Sequence, residues 1–429
     1  MTDGADDRLE WDEPDQLGEQ TRAVHLPPPP RVVQEPLGQA VWRTSTFGFE
    51  TSQEYADVLG RRAPGYSYTR IDNPTVDAFA AAVAALEHPS GDRIRAEAFG
   101  SGMAAITATL LAFTGAGTHV VAPAACYGGT WSLLQHTLSR FGVETTFVDG
   151  TDVDAYADAL QRPTAVVWAE TLTNPTMAVA DLPGLAALAH RAGALLAVDS
   201  TFATPAVCQP LRHGADLVIH SATKYLGGHS DATGGVVVGG AELLDAVRLV
   251  RVETGGILAP DEAFLLRRGL ATLPLRMARI CTSALALAQA VAGHSAVARV
   301  DYPGLPGHRG HDLAERLFLR TGGVTRYGGV LWVVPHGGWE AGLRFAELLR
   351  LPVTGASLGG AHTLVGHAAS TTHRQLDGAA LAAGGIDPAG VRISVGLEDV
   401  EDLVADVVGA LDQLSGSLDP QPSEESARR

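Results

Sequence analysis

The stretch ALLAVDSTFATPAVCQPLRHGADLVIHSATKYLGG, residues 194–228, contains two short apolar runs and Lys224, the only lysine of the chain. The runs ALLAVDS and ADLVIHS have the length of β-strands, as does the upstream run TAVVWAE. The segment LPGLAALAHRAG, which lies between TAVVWAE and ALLAVDS, has the composition of a helix. Continuous apolar strands that alternate with helices predict an α/β fold with a parallel sheet covered on both faces.

The character of the sequence changes after residue 272, where long helical segments and a few alternating strands such as GGVLWVVP and GVRISVG follow. We therefore predict a large domain over residues 76–272 and a smaller α+β domain over residues 273–415. The acidic, proline-rich residues 1–34 and the polar residues 416–429 are predicted to be disordered tails.

The composition restricts the class of protein. With 46% hydrophobic and 18% charged residues and a net charge of −17, the chain resembles a well-packed α/β enzyme and shows no basic patch for nucleic acid. Three scattered cysteines without a C-x-x-C pair fit a reducing compartment. The acidic N-terminus predicts no secretory signal, and we expect no membrane span. We therefore predict a cytoplasmic protein without nucleic-acid or membrane partners.

Lys224 stands among thirty arginines. An arginine stays protonated, whereas a desolvated lysine can lose its proton and act as a nucleophile, so chemistry is a reason to keep this amine. Lys224 and Asp199 follow two apolar runs, and ligands bind at the carboxyl ends of such strands. The alternative is a surface lysine without a role. The leading use of a lysine at a sheet edge is Schiff-base formation with a carbonyl, as in pyridoxal phosphate (PLP) enzymes.

Each further part of a PLP site has a candidate. The small residues of FGSGMAA (99–105) precede a helical segment and would let backbone amides reach a phosphate, although a tight turn is the alternative. Ser221 and Thr223 could add hydroxyl groups. Asp199 could pair with the pyridine nitrogen or could cap a turn. Tyr127 could stack on the ring or be a structural tyrosine.

Eight motifs occur in an order that resembles the Cys/Met-metabolism PLP enzymes, which include cystathionine γ-synthase, cystathionine γ-lyase and methionine γ-lyase. The resemblance extends over residues 35–415. The motifs are YSYTRIDNPT (66–75), GSGMAAI (100–106), CYGGTW (126–131), ETLTNPT (170–176), VDSTFATP (198–205), HSATKYLGGHSD (220–231), SLGG (357–360) and RISVGLEDVEDL (392–403).

This resemblance implies a fold type I PLP enzyme with a mixed, mostly parallel sheet. Lys224 would hold PLP and move protons, and Asp199 would pair with the pyridine nitrogen. The phosphate would be bound by the amides of Gly102 and Met103 with the hydroxyls of Ser221 and Thr223. The other implied roles are ring stacking and acid–base catalysis for Tyr127, a contact with the cofactor's phenolate oxygen for Asn174, and binding of the substrate carboxylate for Arg392 with Ser357.

The resemblance also implies an oligomer. Residues 35–75 would form an arm in which Tyr68 and Arg70 reach the phosphate of a neighbouring subunit. A homodimer would then be the minimal active unit, and a tetramer is expected. The substrate would be a small amino acid with a sulfur or oxygen substituent at the γ-carbon, which is eliminated or replaced.

Three alternatives to this function stay open. One is cystathionine γ- or β-lyase activity, and another is a specialised biosynthetic role with an unusual substrate. The third is a nucleotide-binding α/β protein or a PLP-binding protein without catalysis. A clear G-x-G-x-x-G motif is missing from the sequence, which counts against nucleotide binding.

The distal end of the predicted substrate site departs from the family pattern. Cystathionine-handling members resemble one another in carrying charged residues at three positions that hold Ser67, Ser132 and Ala356 here. The missing charges favour a smaller or less charged γ-substituent. Methionine γ-lyases usually have a cysteine where this chain has Gly129, and the nearby Cys126 need not replace it.

Three further features of the sequence bear on the predicted site. Ser200 stands where the family usually has an asparagine, which would loosen the hydrogen bonds around Asp199. His308 and His311 have the spacing of metal ligands but lack an evident third ligand, so we predict no metal site. His229 follows a glycine pair and is expected to border the active site.

Overall fold

The computed structural model describes residues 37–87, 94–374 and 376–418. The predicted tail at residues 1–34 and most of the tail predicted at the other end lie outside these residues. A helix continues to Leu418, two residues past the predicted start of that tail at residue 416. The chain divides into two units, one that ends at Thr75 and one that begins at Val76.

Within the described part of the first unit, from residue 37 onward, lie extended residues and the short helix α1 (Ser52–Leu59). Thr51 caps this helix, since its side chain accepts a hydrogen bond of 3.0 Å from the Glu54 amide. Asn73 donates to the Trp42 carbonyl at 3.0 Å, which connects the residues before α1 with those after it. The segment that holds Tyr68 and Arg70 is therefore fixed within this unit.

The second unit contains a sheet of seven strands in the order β1-β7-β6-β5-β4-β2-β3. The strands are β1 (Ile94–Phe99), β2 (His119–Pro123), β3 (Glu144–Val148), β4 (Val166–Glu170), β5 (Leu195–Asp199), β6 (Leu217–Ser221) and β7 (Gly235–Gly240). The helices in this part of the chain are α2 (Pro74–Glu87), α3 (Gly102–Phe113), α4 (Gly128–Ser132), α5 (Val153–Ala159), α6 (Leu182–Arg191), α7 (Ala241–Thr254) and α8 (Pro260–Leu270), and α9 (Leu273–Val291) follows them and contacts the second sheet described below.

Strands β2 to β6 are parallel, and β7 alone runs antiparallel to its two neighbours, β6 and β1. The predicted mixed, mostly parallel sheet is therefore confirmed. The apolar runs are explained by burial on both faces. On β5, Leu196 and Val198 pack into one hydrophobic cluster, whereas Ala197 packs into the cluster on the other face with α3 and α7.

A second sheet has the strand order β12-β13-β14-β11-β8. Its strands are β8 (Val297–Asp301), β11 (Val330–Pro335), β12 (Val353–Thr354), β13 (Leu364–His367) and β14 (Val391–Ser394), and β9 (Arg320–Thr321) pairs with β10 (Val324–Thr325). Helices α10 (His311–Leu317), α11 (Gly338–Leu348), α12 (Gly378–Ala383) and α13 (Val400–Leu418) accompany it. The alternating strands predicted after residue 272 lie in this sheet.

Among the helices that the structure describes, none is by itself long and apolar enough to cross a membrane. The pair Pro260–Leu270 and Leu273–Val291 meets the length and composition test only when taken together, and it is bent by 61°.

Candidate active site

The carboxyl ends of β1, β2, β4, β5 and β6 lie at one edge of the large sheet because these strands run in the same direction. A cavity of about 430 Å³ opens at this edge. It is lined by ten of the twelve predicted site residues: Gly102, Met103, Tyr127, Asn174, Asp199, Ser221, Thr223, Lys224, Ser357 and Arg392. Tyr68 and Arg70 belong to the first unit, and their role stays a prediction.

Lys224 follows β6 and donates a hydrogen bond of 2.6 Å from its Nζ to the Ser357 hydroxyl. Burial, and then the positive charge of Arg392, lowers the pKa of Lys224 from 10.5 to about 8. The neutral amine is therefore accessible near physiological pH, as a nucleophile requires. Ser357 has a φ of 84°, a left-handed conformation that is unfavourable for a residue other than glycine.

Two carboxylates lie side by side at the edge of the sheet. Glu170 ends β4 and Asp199 ends β5, and the two are paired in register. Burial raises the pKa of Asp199, and burial together with the charge of Asp199 raises the pKa of Glu170. The Thr201 amide donates to Asp199 at 2.9 Å, which partly offsets this cost. A cation bound in the cavity would stabilise both carboxylates.

The N-terminus of α3 forms the opposite wall of the cavity. Ser101 caps the helix, because its hydroxyl accepts from the Ala104 amide at 3.1 Å. The amides of Gly102 and Met103 come first in the helix, so they have no intrahelical partner and can donate to an anion. A Cβ at Gly102 would lie 2.7 Å from the Cβ of Ser221, so this close approach requires glycine.

The hydroxyls near this wall differ in what they contact. The Thr223 hydroxyl donates to the Gly234 carbonyl at 3.2 Å and accepts from the Gly234 amide at 3.0 Å, so it mainly fixes its own loop. Ser221 lies against Gly102, the first residue of α3. PLP needs three contacts: an acid for its pyridine nitrogen, an amine for its aldehyde and donors for its phosphate. Asp199, Lys224 and the N-terminus of α3 offer these contacts, so the residues of this cavity fit PLP.

Arg392 extends from β14 of the second sheet into the cavity and is only 6% exposed. Its Nη1 donates to the Asn174 side-chain oxygen at 3.1 Å, and its Nη2 donates to the Ser357 carbonyl at 2.9 Å. Burial lowers the pKa of Arg392. A carboxylate ligand would offset this desolvation, and Asn174 keeps its amide nitrogen as a donor for a second ligand oxygen.

Sequence reasoning missed the role of Glu170. Its two carboxylate oxygens accept hydrogen bonds from the amides of Tyr127, at 2.6 Å, and Asn174, at 3.0 Å. One buried carboxylate thus holds the loop after β2 and the loop after β4. A signal was present, because the apolar run TAVVWAE ends in the acid Glu170 just as the apolar residues ALLAV are followed by the acid Asp199.

His373 was missed as well. It is fully buried, and its Nε2 lies 3.2 Å from the Asn174 carbonyl. Burial, and then the charge of Arg392, lowers the pKa of His373 to about 4, so this ring is neutral and supports Asn174. No spacing in the sequence connects these residues, which are 199 positions apart.

The departures from the family pattern have structural counterparts. A Cβ at Gly129 would lie 2.6 Å from the Tyr127 ring, so a cysteine does not fit there with the ring in this position. Burial, and then the charge of Glu170, raises the pKa of the Cys126 thiol. Ser200 accepts from the Thr171 hydroxyl at 3.0 Å, a contact that does not involve Asp199.

The three histidines noted in the sequence are engaged elsewhere. His308 accepts from the Gly310 amide at 3.1 Å, and His311 lies 2.8 Å from the Pro303 carbonyl. His229 contacts the Gly227 carbonyl at 2.7 Å. Over the described parts of the chain, no group of three or more His, Cys, Asp or Glu residues could hold a metal ion.

A second cavity of about 720 Å³, here called the distal chamber, adjoins the first. The two cavities share Tyr127, Ala356, Thr372 and Arg392. Ser132 also lines the distal chamber, so two of the three positions with missing charges face it. Ser67 lies in the first unit.

Known proteins resemble this chain over most of its length. A family model described as Cys/Met metabolism PLP-dependent enzyme matches residues 20–412. An L-methionine gamma-lyase of Fusobacterium nucleatum subsp. polymorphum is 39% identical over 381 residues, 88% of this chain and 94% of the relative. A cystathionine gamma-synthase of Mycobacterium bovis is 38% identical over 395 residues, 92% and 97% of the two chains.

Among solved structures, a putative O-acetylhomoserine (thiol)-lyase from Campylobacter jejuni superposes with a TM-score of 0.83 at 29% identity. The match covers 89% of this chain and 96% of that one. The Campylobacter structure contains N'-pyridoxyl-lysine-5'-monophosphate, so a lysine of that protein carries the cofactor.

Proposed function

The chain belongs to the Cys/Met-metabolism PLP-dependent enzymes, and from this premise we propose how its own residues perform the reaction. The enzyme catalyses γ-elimination or γ-replacement on a sulfur- or oxygen-substituted amino acid. The observation that carries the residue assignment is the convergence of Lys224, Asp199 and the α3 N-terminus on one cavity. PLP, when bound, supplies an electron sink that stabilises negative charge on the substrate carbons.

Lys224 is the residue that holds the cofactor and afterwards moves protons. Its lowered pKa supports both tasks, because the neutral amine is the nucleophile and the base. Asp199 pairs with the pyridine nitrogen, and Gly102 and Met103 bind the phosphate through their amides. Ser221 and Thr223 complete the phosphate site as hydroxyl contacts.

Arg392 binds the α-carboxylate of the substrate. Its guanidinium is oriented by Asn174 and by the Ser357 carbonyl, which supports a planar, two-point contact. The Ser357 hydroxyl accepts from Lys224, so the substrate site and the reactive amine share one residue. Asn174 would contact the phenolate oxygen of the bound cofactor through its side-chain amide nitrogen, since its side-chain oxygen accepts from Arg392.

Tyr127 stacks on the cofactor ring and exchanges a proton with the γ-substituent. The residue is 38% exposed and lines both cavities, which supports contact with the cofactor on one side and the substituent on the other. The γ-substituent leaves with the electrons of its bond to carbon and takes up a proton. In replacement, an incoming thiol forms the new carbon–sulfur bond. In elimination, water is consumed, and a 2-oxo acid and ammonia are released.

The distal chamber disfavours cystathionine as the substrate. Ser132 and Ala356 replace charged residues that would pair with the second amino-acid group of cystathionine. We therefore assign a smaller γ-substituent or an unusual one. The substrate candidates are methionine, homocysteine and the O-acylhomoserines. O-acetylhomoserine, a member of the last group, appears in the name of the Campylobacter neighbour.

A homodimer is the minimal active unit in this proposal, and two such dimers form a tetramer. Tyr68 and Arg70 reach the phosphate of the partner subunit. The Arg70 guanidinium lies 5.7 Å from the centre of the Tyr68 ring, which supports their acting as a pair. We also propose a cytoplasmic location, because Cys126, Cys208 and Cys281 are free and buried.

Borohydride reduction tests the cofactor assignment. The purified protein is expected to be yellow, and reduction is expected to fix the cofactor mass on the peptide that contains Lys224. Colourless protein with an unmodified Lys224 peptide would overturn the assignment.

Product analysis with an O-acylhomoserine tests the reaction. Without a thiol, we expect a 2-oxo acid and ammonia; with a thiol, we expect the thioether. Activity on cystathionine comparable to that on these substrates would contradict the account of the distal chamber.

A further inference from the structure

The distal chamber has an unbalanced charge. Five serine and threonine side chains contribute to its walls: Ser132, Thr354, Ser370, Thr371 and Thr372. Its charged lining residues are Arg374 and Arg392, and no Asp or Glu lines it among the residues that the structure describes. The local charge is therefore positive in a chain whose net charge is −17.

The two arginines differ in how they are held. Arg392 is buried and donates to Asn174 and to the Ser357 carbonyl, and it faces both cavities. Arg374 is exposed, and it donates from its Nη1 to the Thr371 carbonyl at 3.3 Å. The described residues form no ion pair with it. Its guanidinium therefore keeps most of its five donors for a ligand.

The carboxylates near the site lie away from the chamber. Glu170 and Asp199 line the first cavity, and the Glu170 oxygens already accept from the Tyr127 and Asn174 amides. A ligand ammonium in the chamber would thus meet two cations and no carboxylate among the described lining residues. A ligand carboxylate would find an oriented donor in Arg374.

We propose that Arg374 is a specificity-determining residue that favours a carboxylate without an accompanying ammonium group. This carboxylate lies at the distal end of the departing γ-substituent or of the incoming nucleophile. The proposal rests on the proposed function, because Arg392 must be occupied by the α-carboxylate for Arg374 to be the remaining cation. Cysteine and homocysteine, whose ammonium groups accompany their carboxylates, are disfavoured as nucleophiles.

Paired substrates of similar size distinguish the two sources of the carboxylate. The departing group is tested with O-succinylhomoserine against O-acetylhomoserine. The nucleophile is tested with 3-mercaptopropionate against its methyl ester, with O-acetylhomoserine as the donor. Each pair is measured with the wild-type holoenzyme, with Arg374→Gln, and with Arg344→Gln, an exposed arginine that does not line the chamber.

Arg374→Gln is expected to raise KM for the anionic member of one pair roughly three- to tenfold, as for one partly exposed charge-assisted hydrogen bond. The neutral member and kcat should change little, and Arg344→Gln should resemble the wild type. The pair that responds identifies the source of the carboxylate. An equal effect on anionic and neutral members, or no effect on either pair, would overturn the proposal.

Calorimetric binding of 3-mercaptopropionate and of its methyl ester to the holoenzyme, in saturating L-alanine so that an α-carboxylate occupies Arg392, gives a readout that needs no turnover. Tighter binding of the free acid that disappears in Arg374→Gln supports the proposal. Equal binding of acid and ester to the wild type contradicts it. Absence of turnover with every donor, alongside Arg374-dependent binding of the acid, would instead refute the proposed reaction and leave the anion site standing.

Discussion

Replacing Lys224 by methionine is expected to stabilise the cofactor-free protein at neutral pH. Lowering the pKa of this lysine from 10.5 to about 8 corresponds to about 3 kcal/mol of folding free energy at roughly 1.4 kcal/mol per tenfold change in acidity. The methionine loses the 2.6 Å hydrogen bond to Ser357, worth about 1 kcal/mol. The net expectation is that Lys224→Met unfolds with a free energy about 2 kcal/mol higher than the wild type at pH 7.

The pH dependence gives this prediction its sign. The pKa of Lys224 is lower in the folded protein than in the unfolded chain, so the unfolded chain binds more protons between pH 8 and pH 10.5. The free-energy cost of burying Lys224 is therefore complete below pH 8 and disappears as the pH rises through 10.5. The advantage of Lys224→Met should therefore shrink as the pH rises from 8. Urea unfolding of the cofactor-free proteins at pH 7 and pH 9.5 measures it.

Lys224→Arg is the matched control, because a guanidinium stays charged at both pH values. The wild type should gain stability relative to Lys224→Arg as the pH rises, and Lys224→Arg should also have lost turnover. If Lys224→Met is no more stable than the wild type at pH 7, or if their difference is the same at both pH values, the electrostatic account of this lysine is wrong.

Three further predictions concern the cavity walls. Tyr127→Phe should lower kcat by roughly 10²–10⁴-fold and leave cofactor absorbance unchanged, and wild-type turnover would contradict the acid–base role. Gly102→Ala should weaken PLP binding at least tenfold in an equilibrium titration of the cofactor-free protein, because its Cβ would lie 2.7 Å from that of Ser221; unchanged affinity would count against the phosphate site. Gly129→Cys should lower kcat rather than improve methionine elimination, because its Cβ would lie 2.6 Å from the Tyr127 ring, and a gain in that activity would refute this reasoning.

The cofactor half of the cavity could be predicted because each of its parts follows a strand of the large sheet. Apolar runs identify those strands, and parallel pairing brings their carboxyl ends together. Asp199 and Lys224 therefore converge in the structure, as the position of Asp199 within ALLAVDS and of Lys224 after ADLVIHS indicated. Glu170 follows the same rule, because it is the last residue of TAVVWAE and ends a strand beside Asp199.

The substrate half could not be predicted in the same way. Arg392 lies on β14 of the second sheet and Ser357 lies in the loop between β12 and β13, both more than 130 residues after Lys224 in the chain, so their placement beside Lys224 depends on long-range tertiary packing. His373 and Arg374 follow β13 in a loop without periodicity, so no pattern indicates that one supports Asn174 and the other faces the distal chamber.

This difference has a consequence for how the enzyme can change its substrate. The contacts to the cofactor are fixed by strand ends and by close approaches such as the one between Gly102 and Ser221, which tolerate few side chains. Half of the residues that line the distal chamber are loop residues, among them Ala356 and Arg374, and a change at these positions alters charge without disturbing the large sheet. The charges expected for a second amino-acid group are missing at Ser132 and Ala356. Arg374 is then the exposed cation of the chamber. An acidic residue introduced in place of Ala356 should therefore shift the nucleophile preference towards thiols that carry an ammonium group, while Lys224 keeps its lowered pKa and its cofactor.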